Sequence, residues 1–136
     1  MIGESLSHYL VVSRLGAGGM GEVYLAEDRN LKRQVALKVL PVEMAGDPER
    51  LLRFRREAEV VAALNHPNIV TIHNIEDVEG KRILIMELVE GQSLDRLLTP
   101  EGLSLPEALA IANQLTSALV AAHGKGIVHR DLKPAN

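Results

Sequence analysis

The stretch HRDLKPAN, residues 129–136, is the most specific feature of the sequence. It follows the apolar pair Ile127-Val128 and places a carboxylate, a cation and a carboxamide close together. Asp131 can accept a proton or orient a hydroxyl group, Lys133 can neutralise phosphate charge, and the Asn136 amide oxygen is a hard ligand that suits Mg²⁺. This combination of groups favours chemistry at a phosphate over a merely polar segment.

The residues before this stretch predict its structural setting. Apolar residues that alternate with polar ones predict strands, because successive side chains of a strand point to opposite faces. Asp47 followed by Pro48 predicts a helix start, and Ser104 with Glu107 predicts a capping box. The predicted strands are 9–15, 22–27, 34–40, 69–75 and 82–88, and the main helices begin after Asp47 and Ser104. This order predicts an α+β fold, with a boundary near Glu90-Gly91.

The pattern Gly16-x-Gly18-x-x-Gly21-x-Val23 has three interpretations. A dinucleotide-binding turn would open a helix and carry an acidic residue about 20 positions later. Here a predicted strand follows the glycines, and residue 36 is Ala. A hairpin lying over phosphates fits better, since glycine lets backbone N–H groups approach the oxygens. A glycine-rich hairpin without a ligand stays open at this point.

Lys38 stands in the predicted strand Val35-Ala36-Leu37-Lys38, which is otherwise apolar. A buried ammonium group needs a partner of opposite charge. Glu57 in the first predicted helix is a candidate, and Glu59 is a rival on a different helical face. The alternative is that all these side chains are solvated.

The composition excludes several classes of protein. The chain has 15 basic and 18 acidic residues, so its net charge of −3 argues against a nucleic-acid binder. No Cys is present, which excludes disulfides and thiolate metal sites. The first eight residues do not form a secretory signal, and no apolar run is long enough to span a membrane. The sequence therefore predicts a cytoplasmic domain without membrane contact in this segment.

Taken together, these motifs resemble the protein kinase superfamily, and most closely the bacterial, eukaryote-like serine/threonine protein kinases. They occur in the family's order and spacing over nearly the whole chain. The motifs are Gly16–Val23, Val35–Lys38, Arg55–Ala58, Leu64–Val70, Met86–Gly91 and His129–Asn136.

The resemblance implies a partial protein kinase domain over residues 1–136. Residues 9–89 would form the N-lobe, a five-stranded antiparallel sheet with one main helix. Residues 90–136 would form the hinge exit, the first helices of a C-lobe and the catalytic loop. The family's Asp-Phe-Gly motif, activation loop and most of the helical lobe are absent from these residues, so we expect the domain to be incomplete.

The resemblance also implies a role for each site residue. Lys38, paired with Glu57, would hold the ATP phosphates, Asp131 would accept the proton of the substrate hydroxyl, and Lys133 would mark a serine/threonine kinase. Asn136 would bind one Mg²⁺. The residues expected around the nucleotide are Leu15, Gly16, Gly18, Gly21, Val23, Ala36, Lys38, Met86, Glu87 and Leu88.

The implied activity is transfer of the γ-phosphoryl group of ATP, with Mg²⁺, to Ser or Thr hydroxyls of protein substrates. We expect residues 1–136 alone to be inactive, because part of the Mg²⁺ site and the surface for protein substrates are missing. Two alternatives remain: a non-catalytic nucleotide-binding or interaction module, and a dinucleotide-dependent oxidoreductase. The sequence leaves open the substrate, pairing of two chains through the N-lobe, and a membrane anchor beyond residue 136.

Overall fold

The computed structural model describes residues 1–18, 21–40, 46–130 and 132–136, and it leaves out the side chains of residues 17, 18 and 57. The strands are β1 (Ser5–Leu6), β2 (Tyr9–Gly18), β3 (Gly21–Asp28), β4 (Arg33–Val39), β5 (Ile72–Val78) and β6 (Lys81–Glu87). The helices are α1 (Pro48–Ala62), α2 (Leu94–Leu97) and α3 (Leu105–Gly124). The predicted α+β plan is confirmed.

All six strands form one antiparallel sheet in the order β1-β2-β3-β4-β6-β5. The sheet curls, and the Lys81 ammonium at the start of β6 lies 3.6 Å from the sulfur of Met1, which precedes β1. The apolar core fills the inside of this curl, and its buried members are Leu6, Tyr9, Val11, Tyr24, Ala26, Val35, Leu37, Ile83 and Ile85. Alternate residues of β4 and β6 therefore form the core, while those between them face the other side.

The strand count differs from the predicted five, because Ser5–Leu6 adds a short edge strand. Ser7 turns the chain with a φ of 56°, so that Ser5 pairs with Leu10 and Leu6 with Tyr9. Leu6 is buried in the core. A strand of two residues is too short to show an alternating pattern, so it could not be predicted from the sequence.

β2 contains two bulges, between Val11 and Ser13 and between Arg14 and Gly16. They let a strand of ten residues pair with one of eight. β3 begins at Gly21, directly in the glycine-rich segment. The oxidoreductase alternative is wrong for this fold, because a dinucleotide-binding turn would open a helix there.

Helix α1 begins as predicted. The Asp47 carboxylate accepts hydrogen bonds from the N–H groups of Glu49 and Arg50 at 3.1 and 3.3 Å, and Pro48 occupies the first turn. Ala58 is buried near Ile72 and Ile75 of β5, and Leu64, just beyond the helix, is buried as well. The helix is therefore fixed at its start by a cap and in its second half by contact with β5.

Helix α3 has the predicted capping box between Ser104 and Glu107. None of its described residues is buried, and Leu105 and Val120 are 71% and 68% exposed. Its half-buried positions include Ala108, Ile111 and Leu119. Contacts with the sheet therefore hold this apolar helix only loosely.

Asp28 at the end of β3 generates a test of stability against pH. Its side chain is buried, and the N–H groups of Leu31 and Asn30 donate to it at 3.0 and 2.9 Å. These hydrogen bonds, led by that of Leu31, lower the pKa of the Asp28 carboxyl below its usual 3.8. The stability that the ionised group adds is complete above that usual value and lost as the pH falls through the lower, folded value.

We therefore expect the free energy of unfolding of the wild type to fall more steeply below about pH 4 than that of Asp28→Asn. Urea titrations between pH 2 and pH 7 measure this difference. Glu27→Gln, which neutralises the exposed neighbour, is the control and should follow the wild type. Parallel curves for wild type and Asp28→Asn would contradict the role given to Asp28.

Candidate active site

One face of the sheet carries the predicted nucleotide-binding residues. In the register, Val23 pairs with Lys38 and Ala36 with Met86, while Gly16 pairs with Val23. Directly paired residues share a face, and so do residues two apart in one strand. The fold thus brings Gly16, Val23, Ala36, Lys38 and Met86 together on the face opposite the core.

Lys38 is the one cation of this set. Its side chain is half-buried, and burial lowers the pKa of its amine below the usual 10.5. No carboxylate of the described residues forms an ion pair with it. A partly desolvated ammonium without such a partner favours an anionic ligand.

The two candidate partners of Lys38 differ in how far the structure describes them. Glu57 lies in α1, but its side chain is outside the described part of the chain. The carboxylate of Glu59 lies 3.4 Å from Arg55 one turn away, and both side chains are exposed. Glu59 is therefore paired with Arg55 and not with Lys38, so the rival partner is wrong, whereas the pairing with Glu57 stays a prediction.

The glycine-rich hairpin continues the strands further than the sequence suggested. Gly18 pairs with Gly21 at its tip, while residues 19 and 20 lie outside the description. Gly16 has open space where a side chain would begin, which leaves room for a ligand close to its backbone. Leu15 is the additional residue of the second bulge and is 48% exposed.

A polar brace stiffens the base of this hairpin. The Tyr24 hydroxyl donates to the Glu22 carboxylate, and Arg14 on the opposite strand donates to the same carboxylate at 3.2 Å. The brace lies on the core side of the sheet, away from Val23 and Lys38. It therefore fixes the hairpin without occupying the face where a nucleotide would lie.

Glu87 and Leu88 follow Met86 at the end of β6, and both are half-buried. The Glu87 N–H donates to the Thr71 carbonyl at 2.9 Å, and its carboxylate accepts the Thr71 N–H at 3.1 Å. The main-chain N–H of Glu87 is thus already used. Any main-chain contact from Glu87 to a nucleotide is left to its carbonyl oxygen.

The HRDLKPAN stretch lies beside α2 and α3. The Asp95 N–H in α2 donates to the Pro134 carbonyl at 3.0 Å, and the Asn136 N–H donates to the Lys133 carbonyl at 2.9 Å. Arg130 has a φ of 67°, a conformation uncommon outside glycine. Asp131 lies outside the described residues, so its predicted role is not tested by the geometry.

A cavity of about 460 Å³ separates α1 from the start of this stretch. Val60 and Val61 of α1 line one side, and Ile127, Val128 and His129 line the other. The fold therefore brings the helix that carries residue 57 next to the segment that carries residue 131.

The described residues fit the phosphates of a nucleotide better than they define a metal centre. Lys38 supplies a desolvated positive charge, and the backbone at Gly16 is open to approach. In the part of the chain that the structure describes, no group of three or more His, Cys, Asp or Glu side chains could hold a metal ion. Asn136 is the described candidate ligand for Mg²⁺.

The structure combines a curled antiparallel sheet, a glycine hairpin, one lysine on the open sheet face and an HRDLKPAN stretch after α3. This combination defines the kinase class of nucleotide-binding domain. The family model described as "Protein kinase domain" matches residues 9–136. The chain belongs to this family.

Two bacterial kinases are among the similar proteins. The chain is 45% identical over 138 residues to serine/threonine-protein kinase PrkC of Bacillus subtilis, which covers 100% of this chain and 21% of that protein. It is 41% identical over 134 residues to PknJ of Mycobacterium tuberculosis, which covers 98% of this chain and 23% of the relative. The chain thus spans about a fifth of the length of the curated relatives it matches.

Solved structures agree with this assignment. The crystal structure of the Mycobacterium tuberculosis PknI kinase domain superimposes with a TM-score of 0.86 at 39% identity, covering 100% of this chain and 56% of that one. The protein-kinase-like fold predicted from the sequence is therefore confirmed. Separately, none of the helices in the described ranges is long and apolar enough to cross a membrane.

Two residues that the sequence analysis gave no role are connected to the site. Thr71 holds Glu87 through two hydrogen bonds, and His66 bonds to Ser117 of α3 at 3.0 Å. Both lie in the segment that joins α1 to β5. The sequence analysis quoted the motif Leu64–Val70, which contains His66. The hydrogen-bond partners of His66 and Thr71 are distant in sequence, so no local pattern predicts these bonds.

The ammonium of Lys38, for which the described residues supply no ion-pair partner, generates a prediction about stability. Because its folded pKa is lowered, the charged form costs stability below that value, and the cost disappears as the pH rises toward 10.5. We expect Lys38→Met to raise the free energy of unfolding at pH 7 by no more than about 1 kcal/mol, since solvent screens a half-buried group.

Urea denaturation without nucleotide at pH 7 and pH 10 measures this effect, and the gain should shrink at the higher pH. Lys32→Met, in the exposed turn between β3 and β4, is the matched control and should show no gain. A loss of stability in Lys38→Met would mean that the charge is satisfied in the unliganded protein.

Proposed function

We propose that this chain is the nucleotide-binding part and the catalytic segment of a serine/threonine protein kinase. The proposed reaction transfers the γ-phosphoryl group of ATP to a Ser or Thr hydroxyl of a protein. The observation that carries the proposal is Lys38, a partly desolvated cation on the open sheet face beside Val23, Ala36 and Met86. The names of the similar proteins support the same reaction class.

The open face has the chemistry to bind the two halves of ATP differently. Val23 and Ala36 provide apolar surface for the adenine ring. Met86 directly precedes the segment Glu87-Leu88, whose backbone would form hydrogen bonds with the adenine base. Lys38 would attract the phosphate oxygens, and the hairpin containing Gly16, Gly18 and Gly21 would cover them. We assign Glu57 to hold the Lys38 side chain in place.

The catalytic segment would act on the hydroxyl that attacks the phosphorus. Asp131 would accept its proton, and Lys133 would balance negative charge on the transferred group. Bound Mg²⁺ supplies charge neutralisation at the phosphate oxygens, and Asn136 would be one of its ligands. Most of the catalysis would come from position and electrostatics, because phosphoryl transfer needs little covalent help from the protein.

The proposal extends to partners and location. The partners are proteins with an accessible Ser or Thr; a net charge of −3 does not favour nucleic acid. Because ATP is the donor, we place this domain in the cytoplasm. If the full-length protein binds ATP but transfers no phosphate, the non-catalytic nucleotide-binding module becomes the better description.

Removing the Lys38 charge tests the assignment of the nucleotide face. In the full-length protein we expect Lys38→Ala to lower phosphate transfer to a general protein substrate by about 10²-fold or more, the scale of losing one electrostatic contact to the transferred group. Labelling with radioactive ATP measures this change. Lys32→Ala removes a similar charge from an exposed turn and should keep wild-type activity. Wild-type turnover in Lys38→Ala would refute the assignment.

The role of Asp131 is tested by Asp131→Asn, which keeps the size and removes the base. We expect kcat to fall by about 10²- to 10⁴-fold, the usual worth of general-base help. ATP affinity should stay within about threefold, because the base faces the hydroxyl and not the nucleotide. Steady-state kinetics and calorimetric ATP binding give the two quantities. Glu101→Gln, exposed before α3, is the control; equal losses of kcat and ATP affinity would argue for a structural role.

A further inference from the structure

The segment between α1 and β5, residues 63–71, is bonded to two parts of the proposed site at once. At its end, Thr71 donates its N–H to the Glu87 carboxylate at 3.1 Å, and its carbonyl accepts the Glu87 N–H at 2.9 Å. Near its middle, the His66 ring lies 3.0 Å from the Ser117 hydroxyl of α3. One short segment therefore joins the residue proposed to bind adenine to the helix that leads into the catalytic segment.

The hydrogen bonds of His66 determine which ring nitrogen carries its proton. The N–H of Asn68 donates to Nδ1 at 3.0 Å, so Nδ1 must be unprotonated. In the neutral ring the proton is then on Nε2, which donates to the Ser117 oxygen. The segment thus holds the imidazole in one tautomer and aims its single N–H at α3.

The His66–Ser117 hydrogen bond is important for the position of α3, because few other contacts of the described residues hold this helix. None of the described α3 residues is buried. A cavity of about 370 Å³ also lies between the segment and the helix, lined by residues such as Asn68, Ile69, Ile111 and Leu115. Glu87 and Asn136 line the same cavity, which therefore borders both the adenine side and the catalytic side of the proposed site.

We propose that His66 and Ser117 are positioning residues that set the catalytic segment at its working distance from the bound nucleotide. The inference rests on the proposed kinase function. Neither side chain would touch ATP or the protein substrate. Their hydrogen bond would hold α3, and with it residues 125–136, against a segment that is itself bonded to Glu87.

The activity test uses Ser117→Ala in the full-length protein, because alanine is the best helix former and leaves α3 intact. We expect kcat to fall by about two- to tenfold, the range for losing one neutral hydrogen bond, with KM for ATP within about twofold of wild type. Thr116→Val is the matched control, since that neighbouring hydroxyl donates to the Ala112 carbonyl within α3. A Ser117→Ala enzyme that behaves like Thr116→Val overturns the proposal.

A double-mutant cycle separates positioning from general damage. In a His66→Ala background, Ser117→Ala should cause no further loss of kcat if the two side chains act through one bond. Independent, additive losses would overturn the proposal. Positioning predicts that each single variant lowers kcat and leaves KM for ATP nearly unchanged. General destabilisation would instead lower the fraction of active enzyme, and the loss in one variant would not depend on whether the other residue is present.

A spectroscopic test does not depend on kinase activity. Long-range ¹H–¹⁵N correlation on the full-length protein should show His66 as the Nε2–H tautomer, and amide exchange at Asn68 should accelerate in Ser117→Ala but not in Thr116→Val. An Nδ1–H tautomer, or unchanged exchange, overturns the inference even in an active kinase. If the protein transfers no phosphate but shows this tautomer and exchange pattern, the bond exists, the kinase proposal fails, and the positioning role fails with it.

Discussion

The pairing of β4 between β3 and β6 is the constraint on which the rest of the molecule depends. Its register places Val35 and Leu37 in the core and leaves Ala36 and Lys38 on the opposite face. A shift of one residue would bury the lysine among the core side chains and expose the apolar ones. One alternation therefore produces both the hydrophobic core and the proposed nucleotide-binding face, and a change of register would disturb both.

At the proposed site, the partly buried charge of Lys38 lowers the stability of the fold. A half-buried ammonium without a carboxylate among the described residues is unfavourable in the empty protein, and a bound polyanion would relieve it. The surrounding strands are well packed, so the sheet can hold the charge in place. Such a site is prepared for its ligand before the ligand arrives, which reduces the reorganisation needed when binding occurs.

Much of this architecture could be predicted because it is encoded locally. The strand patterns predicted the five longer strands, although β5 begins at Ile72 and not at residue 69 as predicted. Asp47-Pro48 predicted the start of α1, and Ser104 with Glu107 predicted that of α3. The family resemblance supplied the roles of the motif residues, of which Asp131 and the Glu57 side chain lie outside the described parts. The bonds of Thr71 to Glu87 and of His66 to Ser117 join distant positions, so they depend on tertiary packing that no local pattern contains.

The two bulges of β2 restrict how the chain can vary in length. Each bulge contributes one residue with no partner on β3, and the second one, at Leu15, lies directly before Gly16. Deleting a residue here would reverse the direction of every side chain between the deletion and the next bulge or turn. The exposed turn at residues 29–32 carries no such alternation, but its Asn30 and Leu31 N–H groups donate to the buried Asp28 carboxylate, so it too is restricted in length. Among relatives, the spacing from Tyr9 to Gly18 should therefore stay constant.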